Sequence, residues 1–149
     1  MPAALDLALL DAQIESVQAL YRDEEFLHDS GTLVVHHRRV PARGQVSFCL
    51  RYDYGGGFGE GPPSVLFCDP ATLLPGGAES WPLGPEDLFK LPPANGLGWI
   101  CTPATREGVH HHPEWAQRGL WNASRPLEST VFAMRELLQH PRLQVRGSR

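Results

Sequence analysis

The sequence predicts an α+β fold in which a helix, antiparallel strands, a long irregular segment and a second helix follow one another. Three observations predict it. Apolar residues recur at spacings of three and four near both ends, period-2 alternation lies between them, and a stretch dense in Pro and Gly precedes the last helix.

The first helix is expected from Ala3 to about Leu27. Leu10, Ile14, Val17 and Tyr21 form one apolar face among Asp11, Glu15, Arg22 and Asp23, and Asp29-Ser30-Gly31 supplies a stop. Thr32–His37 is rich in β-branched residues and reads as a strand, with Pro41–Gly44 as the turn after it. Val46, Phe48, Leu50 and Tyr52 then alternate with Ser47, Cys49, Arg51 and Asp53, which places one face of a strand in the core. Tyr54–Pro63 is a loop by composition. Ser64–Cys68 is a short apolar run bounded by Pro63 and Pro70, hence a third strand. Short connections make an antiparallel meander the economical arrangement.

From Asp69 to Asn95 the chain is irregular, with a short turn of helix expected at Pro85–Lys90. Irregular segments of this length usually cover a functional site. Gly98-Trp99-Ile100-Cys101 and a His-rich loop follow. The last helix begins near Pro126, carries Leu127, Val131, Met134, Leu137 and Leu138 as its stripe, and stops at His140-Pro141.

Bulk properties narrow the function. At 149 residues the chain has the length of one domain, residues 1–149, able to bury a core without disulfides or metal. It is 42% hydrophobic and 20% charged, as folded proteins are. A net charge of -4, from 13 Lys+Arg against 17 Asp+Glu, argues against a nucleic-acid binder. No segment approaches the roughly 20 apolar residues of a membrane span. Asp6 and Asp11 interrupt the N-terminal apolar stretch, so no signal peptide is expected. Three cysteines, Cys49, Cys68 and Cys101, are an odd number without paired spacing. They suit free thiols in a reducing cytoplasm. The glycine-rich YGGGFGEG joins two strands and lacks the Lys-Ser/Thr ending of a phosphate loop.

The element order, and local sequence in the same succession, resemble the ubiquitin-conjugating (UBC) fold. In QVSFCLRYDYGGGFGEGPPSVLFCDP, residues Tyr54, Pro62, Pro63, Val65 and Phe67 are similar to the family's Tyr-Pro turn and its Pro-Pro-x-Val-x-Phe strand, with an enlarged glycine-rich turn between. Gly98-Trp99-Ile100-Cys101 is similar to the Gly-x-Ile-Cys around the family's thioester-forming cysteine. Trp121 and Leu127–Leu138, closed by His140-Pro141, resemble the segment that follows it. The resemblance spans Leu5 to Pro141. The family's His-Pro-Asn tripeptide is missing, and Asn95 stands two residues closer to the cysteine than that Asn does. The segment between Cys101 and Trp121 is longer and holds His110-His111-His112-Pro113, and the pair of C-terminal helices of many eukaryotic members is absent. These departures look like the divergent bacterial members, which are typically encoded with a ubiquitin-like protein, an activating enzyme and a peptidase, often in antiviral defence clusters.

The resemblance implies that Cys101 accepts a ubiquitin-like modifier from an activating enzyme as a thioester and yields it to an amine on a target protein. The implied setting is cytoplasmic, with no bound cofactor, no nucleic acid and no membrane. Such a site uses the thiolate as nucleophile and is expected to lower the thiol's pKa. A donor must steady the oxyanion, and Asn95 is the candidate, although Asn95-Gly96 is also a strong turn dipeptide. His110 and His112 are candidates for raising thiolate content or moving a proton at Cys101. The same run also reads as a zinc site with Cys101 or Cys68, or as a solvated loop; it lacks a zinc signature spacing. His36 and His37 read as surface or packing residues. Cys49, opposite in parity to the apolar set, is expected to be partly exposed, and both Cys49 and Cys68 to be structural. Trp99, Trp115 and Trp121 read mostly as packing around the site, with one exposed aromatic as a candidate anchor for a partner. In the family the polar face of the first helix meets the activating enzyme, which brings Arg22 into view. The alternatives are a non-catalytic UBC-fold module that binds a modifier or activating enzyme, and a Cys/His zinc or thiol hydrolase.

Overall fold

Helix α1 (Ala4–Leu20) buries Leu10 and Val17 and packs Ile14 beside them, as the three-four spacing requires. The computed structural model describes residues 4–30, 33–40, 46–54, 61–69, 71–94, 96–117 and 121–144. Asn95, the glycine-rich residues 55–60 and the side chains of His36 and His37 lie outside the described residues.

The helix ends seven residues before the expected Leu27. Bonds from the Tyr21 amide to the Val17 carbonyl (2.9 Å) and from the Glu24 amide to the Tyr21 carbonyl (3.1 Å) close its last turn. Strand β1 (Glu25–Ser30) follows and pairs antiparallel with β2 (Leu33–Val40). Asp29 and Ser30 of the expected helix stop lie in β1, and Gly31 is outside the described residues. A ladder partner close in sequence outcompeted extension of the helix, a tertiary choice that local pattern does not encode.

Strands β3 (Val46–Asp53) and β4 (Ser64–Cys68) complete one four-stranded antiparallel meander, ordered β1-β2-β3-β4. Phe48, Leu50 and Tyr52 of β3, with Val65 and Phe67 of β4, face the core. Helix α3 (Pro126–Leu137) starts with Pro in its first turn and presents Leu127, Val131 and Met134 to the same core. The expected stripe is therefore right, with Leu138 buried just beyond the helix end. Full burial of each such side chain contributes about 1.5–3 kcal/mol.

The long irregular segment holds order of its own. Strands β5 (Phe89–Lys90) and β6 (Trp99–Ile100) form a second, two-stranded antiparallel sheet. The expected helical turn at Pro85–Lys90 shrinks to one reverse turn, in which the Leu88 and Phe89 amides both donate to the Pro85 carbonyl before β5 begins. The expected His-rich loop is instead helix α2 (Arg106–His111) followed by a 3₁₀ turn, Pro113–Gln117. The protein is thus α+β, with two antiparallel sheets. No described helix is long and apolar enough to cross a membrane.

Candidate functional site

Cys101 follows directly on β6. Its amide donates to the Leu88 carbonyl (2.8 Å), so the residue is held by the β5–β6 ladder while its side chain stays half-buried. Gly98 explains how the two short strands come so close. A Cβ at this position would lie 2.5 Å from the Lys90 carbonyl oxygen and 2.8 Å from the Trp81 ring. Only glycine leaves room for that approach.

Beyond Cys101 the chain folds back. Thr105, fully buried, caps α2 by accepting the Gly108 amide on Oγ1 (3.1 Å), and its hydroxyl donates to the Ile100 carbonyl (2.6 Å). One side chain therefore joins the helix start to the residue preceding Cys101. A Cβ on Gly108 would lie 2.0 Å from the Thr102 carbonyl oxygen, so the helix presses against the loop that leaves the cysteine. The same first turn of α2 is tied to the start of β4. The Arg106 amide donates to the Pro63 carbonyl (2.8 Å), and the Ser64 hydroxyl donates to the Glu107 carboxylate.

The electrostatics of Cys101 differ from the expectation. Burial pushes its thiol above the ordinary cysteine value; the nearby Lys90 cation pulls it back and Asp87 adds to the rise. A lowered pKa would have required a closer cation or a hydrogen-bond donor on the sulfur. No described group donates to it.

The histidines sit elsewhere. His111 stacks on Trp99, and His110 meets His111 edge-on at 6.2 Å between centroids. His112 stacks on Trp115 at 4.0 Å, with its Nδ1 3.5 Å from Glu114. No hydrogen bond joins His110, His111 or His112 to Cys101. His110 and His111 line a pocket of about 420 Å³ together with Trp99, Leu66, Leu97 and Glu107, and Cys101 does not line it. Among the described residues, no group of three or more His, Cys, Asp or Glu could hold a metal ion.

Trp99, Trp115 and Trp121 are all half-buried. Trp121 has a defined structural task. Its Nε1–H donates to the Pro126 carbonyl (3.2 Å), from which the buried Tyr54 hydroxyl lies 3.1 Å away. Tyr54 and Trp121 thereby meet at the start of α3.

The remaining thiols depart from expectation at Cys49, which is buried and not partly exposed. Cys68 is also buried. Both lie on the sheet face opposite the main core, under Leu73. The parity argument identified the face correctly but had no view of the 69–75 loop that covers it.

Sequence reasoning missed Lys90 and Thr105. Thr105 carried a usable signal, since Thr followed by Arg-Glu is a helix start. Lys90 carried none, because its closeness to Cys101 comes from the β5–β6 pairing. In comparisons with protein families, with curated proteins and with solved structures, nothing matches this chain.

Proposed function

We propose that this chain is a ubiquitin-conjugating-like carrier, which accepts a ubiquitin-like modifier on Cys101 as a thioester and passes it to an amine. The observation that carries the reading is the contrast among the three thiols: Cys101 is half-buried at the end of a strand, while Cys49 and Cys68 are buried. Its backbone is anchored on one side by Leu88 and, through Ile100 and Thr105, on the other, which suits a nucleophile that must keep its place when a large acyl group arrives.

In the first step the Cys101 thiolate attacks the activated acyl carbon and expels the activating enzyme's thiolate. In the second, an amine attacks the new thioester, Cys101 leaves as thiolate, and the proton lost by the attacking nitrogen passes to solvent. Lys90 is the described cation that acts on the sulfur, and it favours the thiolate in both steps. The modifier, the activating enzyme and the target protein are the partners of this proposal, and a bacterial defence pathway is its setting.

The test is a mixture of the protein with an activating enzyme, a ubiquitin-like modifier and ATP, run on a gel without reductant. An adduct that disappears with reductant and is absent from Cys101→Ala supports the reading. Failure to form it, or its formation by Cys101→Ala, overturns it. A second reading, the non-catalytic binding module, is favoured by one observation, the upward push on the Cys101 thiol. It predicts modifier binding by titration calorimetry that Cys101→Ala leaves unchanged.

A further inference from the structure

Cys49 and Cys68 stand directly opposite one another in the β3–β4 ladder. Directly opposed residues of an antiparallel pair have Cα atoms about 4.5–5.5 Å apart. That lies inside the range a disulfide spans, roughly 4.4–6.8 Å. The side chains use this placement: the two sulfurs are 3.0 Å apart. About 1 Å of sulfur movement separates that contact from an S–S bond of about 2.05 Å. The backbone need not rearrange.

The cover over the pair is thin. Cys49 is 2% exposed and Cys68 1%, and the apolar side chain packed on them is Leu73. Leu73 belongs to a tight loop, in which its amide donates to the Asp69 carbonyl (2.8 Å) and the Asp69 amide to the Leu74 carbonyl (2.9 Å). Leu73 has φ 61°, the left-handed region that a leucine adopts at a conformational cost. Ala71, Thr72, Leu74 and Pro75 around it are exposed. Among the described residues, Leu73 is the apolar side chain that covers both sulfurs, and it lies on the face opposite the main core.

We propose that Cys49 and Cys68 are a reversible dithiol–disulfide couple, a modification site oxidised by a small peroxide and reduced by a dithiol. The Cys49 thiolate attacks one peroxide oxygen and breaks the O–O bond, giving a sulfenic acid and one water. The Cys68 thiol then attacks the sulfenic sulfur, and as the S–S bond forms its proton passes to the departing hydroxide, which leaves as a second water. Two thiols and hydrogen peroxide thus become one disulfide and two waters. A dithiol returns both hydrogens and leaves as its own disulfide. The order of attack follows the hydrogen bond: the Cys68 S–H points to the Cys49 sulfur and holds that thiol below its ordinary value, with Arg51 adding to the effect. The site is independent of the thioester reading, since Cys101 follows the second sheet and Cys49 and Cys68 lie in the first.

The experiment uses the full-length Cys101→Ala variant, so that only the two paired thiols remain. The folded protein is treated with hydrogen peroxide, quenched in acid, denatured, and alkylated with N-ethylmaleimide for intact-mass and peptide analysis. The expected result is a loss of two hydrogens, no alkylation in place of two adducts, and a cross-linked peptide pair holding Cys49 and Cys68, all reversed by dithiothreitol. Closing a loop of about 20 residues also raises the thermal midpoint by about 5–10 °C. The wild-type protein gives the same cross-link with Cys101 outside it. Overoxidation of single cysteines to sulfinic acid without a cross-link, cross-linking to Cys101 in the wild type, or a cross-link formed only in denaturant overturns the proposal.

Discussion

The indole of Trp99 lies flat against the imidazole of His111, with centroids 4.3 Å apart and planes 6° from parallel. The stack fastens the strand that leads to Cys101 onto the last turn of α2. The Lys90 ammonium, opposite Trp99 in the β5–β6 pair, sits 5.8 Å from the centroid of the same ring. Histidine thus acts on the cysteine's supporting strand, and the charge that acts on the sulfur comes from lysine. Lys90 can favour the thiolate but, being a cation, does not serve as a base for it.

The pH dependence of Cys101 follows from these charges. Burial holds the thiol above its ordinary value of 9.0, so thiolate is scarce at neutral pH. The rate of alkylation by iodoacetamide, followed by mass spectrometry, should rise about tenfold per pH unit and not level off by pH 9. Lys90→Met moves the curve to higher pH, and Asp87→Asn moves it to lower pH. The linkage sign is that of a group raised on folding: its contribution to stability is present below the unfolded pKa and lost as pH climbs through the folded one. Cys101→Ala should therefore lose less stability than the wild type above pH 9.

Thr105 holds both the start of α2 and the residue before Cys101. Thr105→Ala removes a helix cap and strands a carbonyl, and should cost about 1–3 kcal/mol in urea unfolding. Thr105→Ser keeps both bonds and loses a methyl group, at about 1 kcal/mol. If the two bonds fix Cys101, the Ala variant also changes its alkylation rate, while the Ser variant restores it.

Glu24 and Arg135 form a second test, remote from the site. The Arg135 Nη1 lies 2.6 Å from Glu24 Oε2, the carboxylate is 4% exposed, and the guanidinium sits 4.0 Å from the Tyr21 ring centroid. This pair clamps the end of α1 to α3. Arg135→Met removes this cation from beside a buried carboxylate and should cost about 3 kcal/mol. Adding Glu24→Gln should restore more than half of that loss, read as the shift in denaturant midpoint at unchanged slope.

Much of the fold was legible in the residues. Val46–Asp53 alternates because one face of β3 meets the core, and Ser64–Cys68 has its expected bounds because Pro and Gly flank a run too short for a helix. The stripe of α3 was readable for the same reason, since burial on one face imposes its period on the side chains. The site was less legible. Cys101 stood out through the glycine-cysteine spacing, and the structure supplies a reason for that glycine at Gly98. The placement of the histidines was not legible, because consecutive residues of a short helix are aimed by what the helix packs on.

The sequence by itself determined the α+β class, the strands near Val46–Asp53 and Ser64–Cys68 and the terminal helix, all of which rest on local periodicity and spacing. Only the tertiary structure decided that residues 25–27 leave the first helix for a strand, that Lys90 and not a histidine is the cation acting on Cys101, and that Cys49 and Cys68 meet sulfur to sulfur. Each of these depends on strand pairing between segments whose register is set by the fold as a whole, and a pairing partner leaves no mark on the residues it will meet.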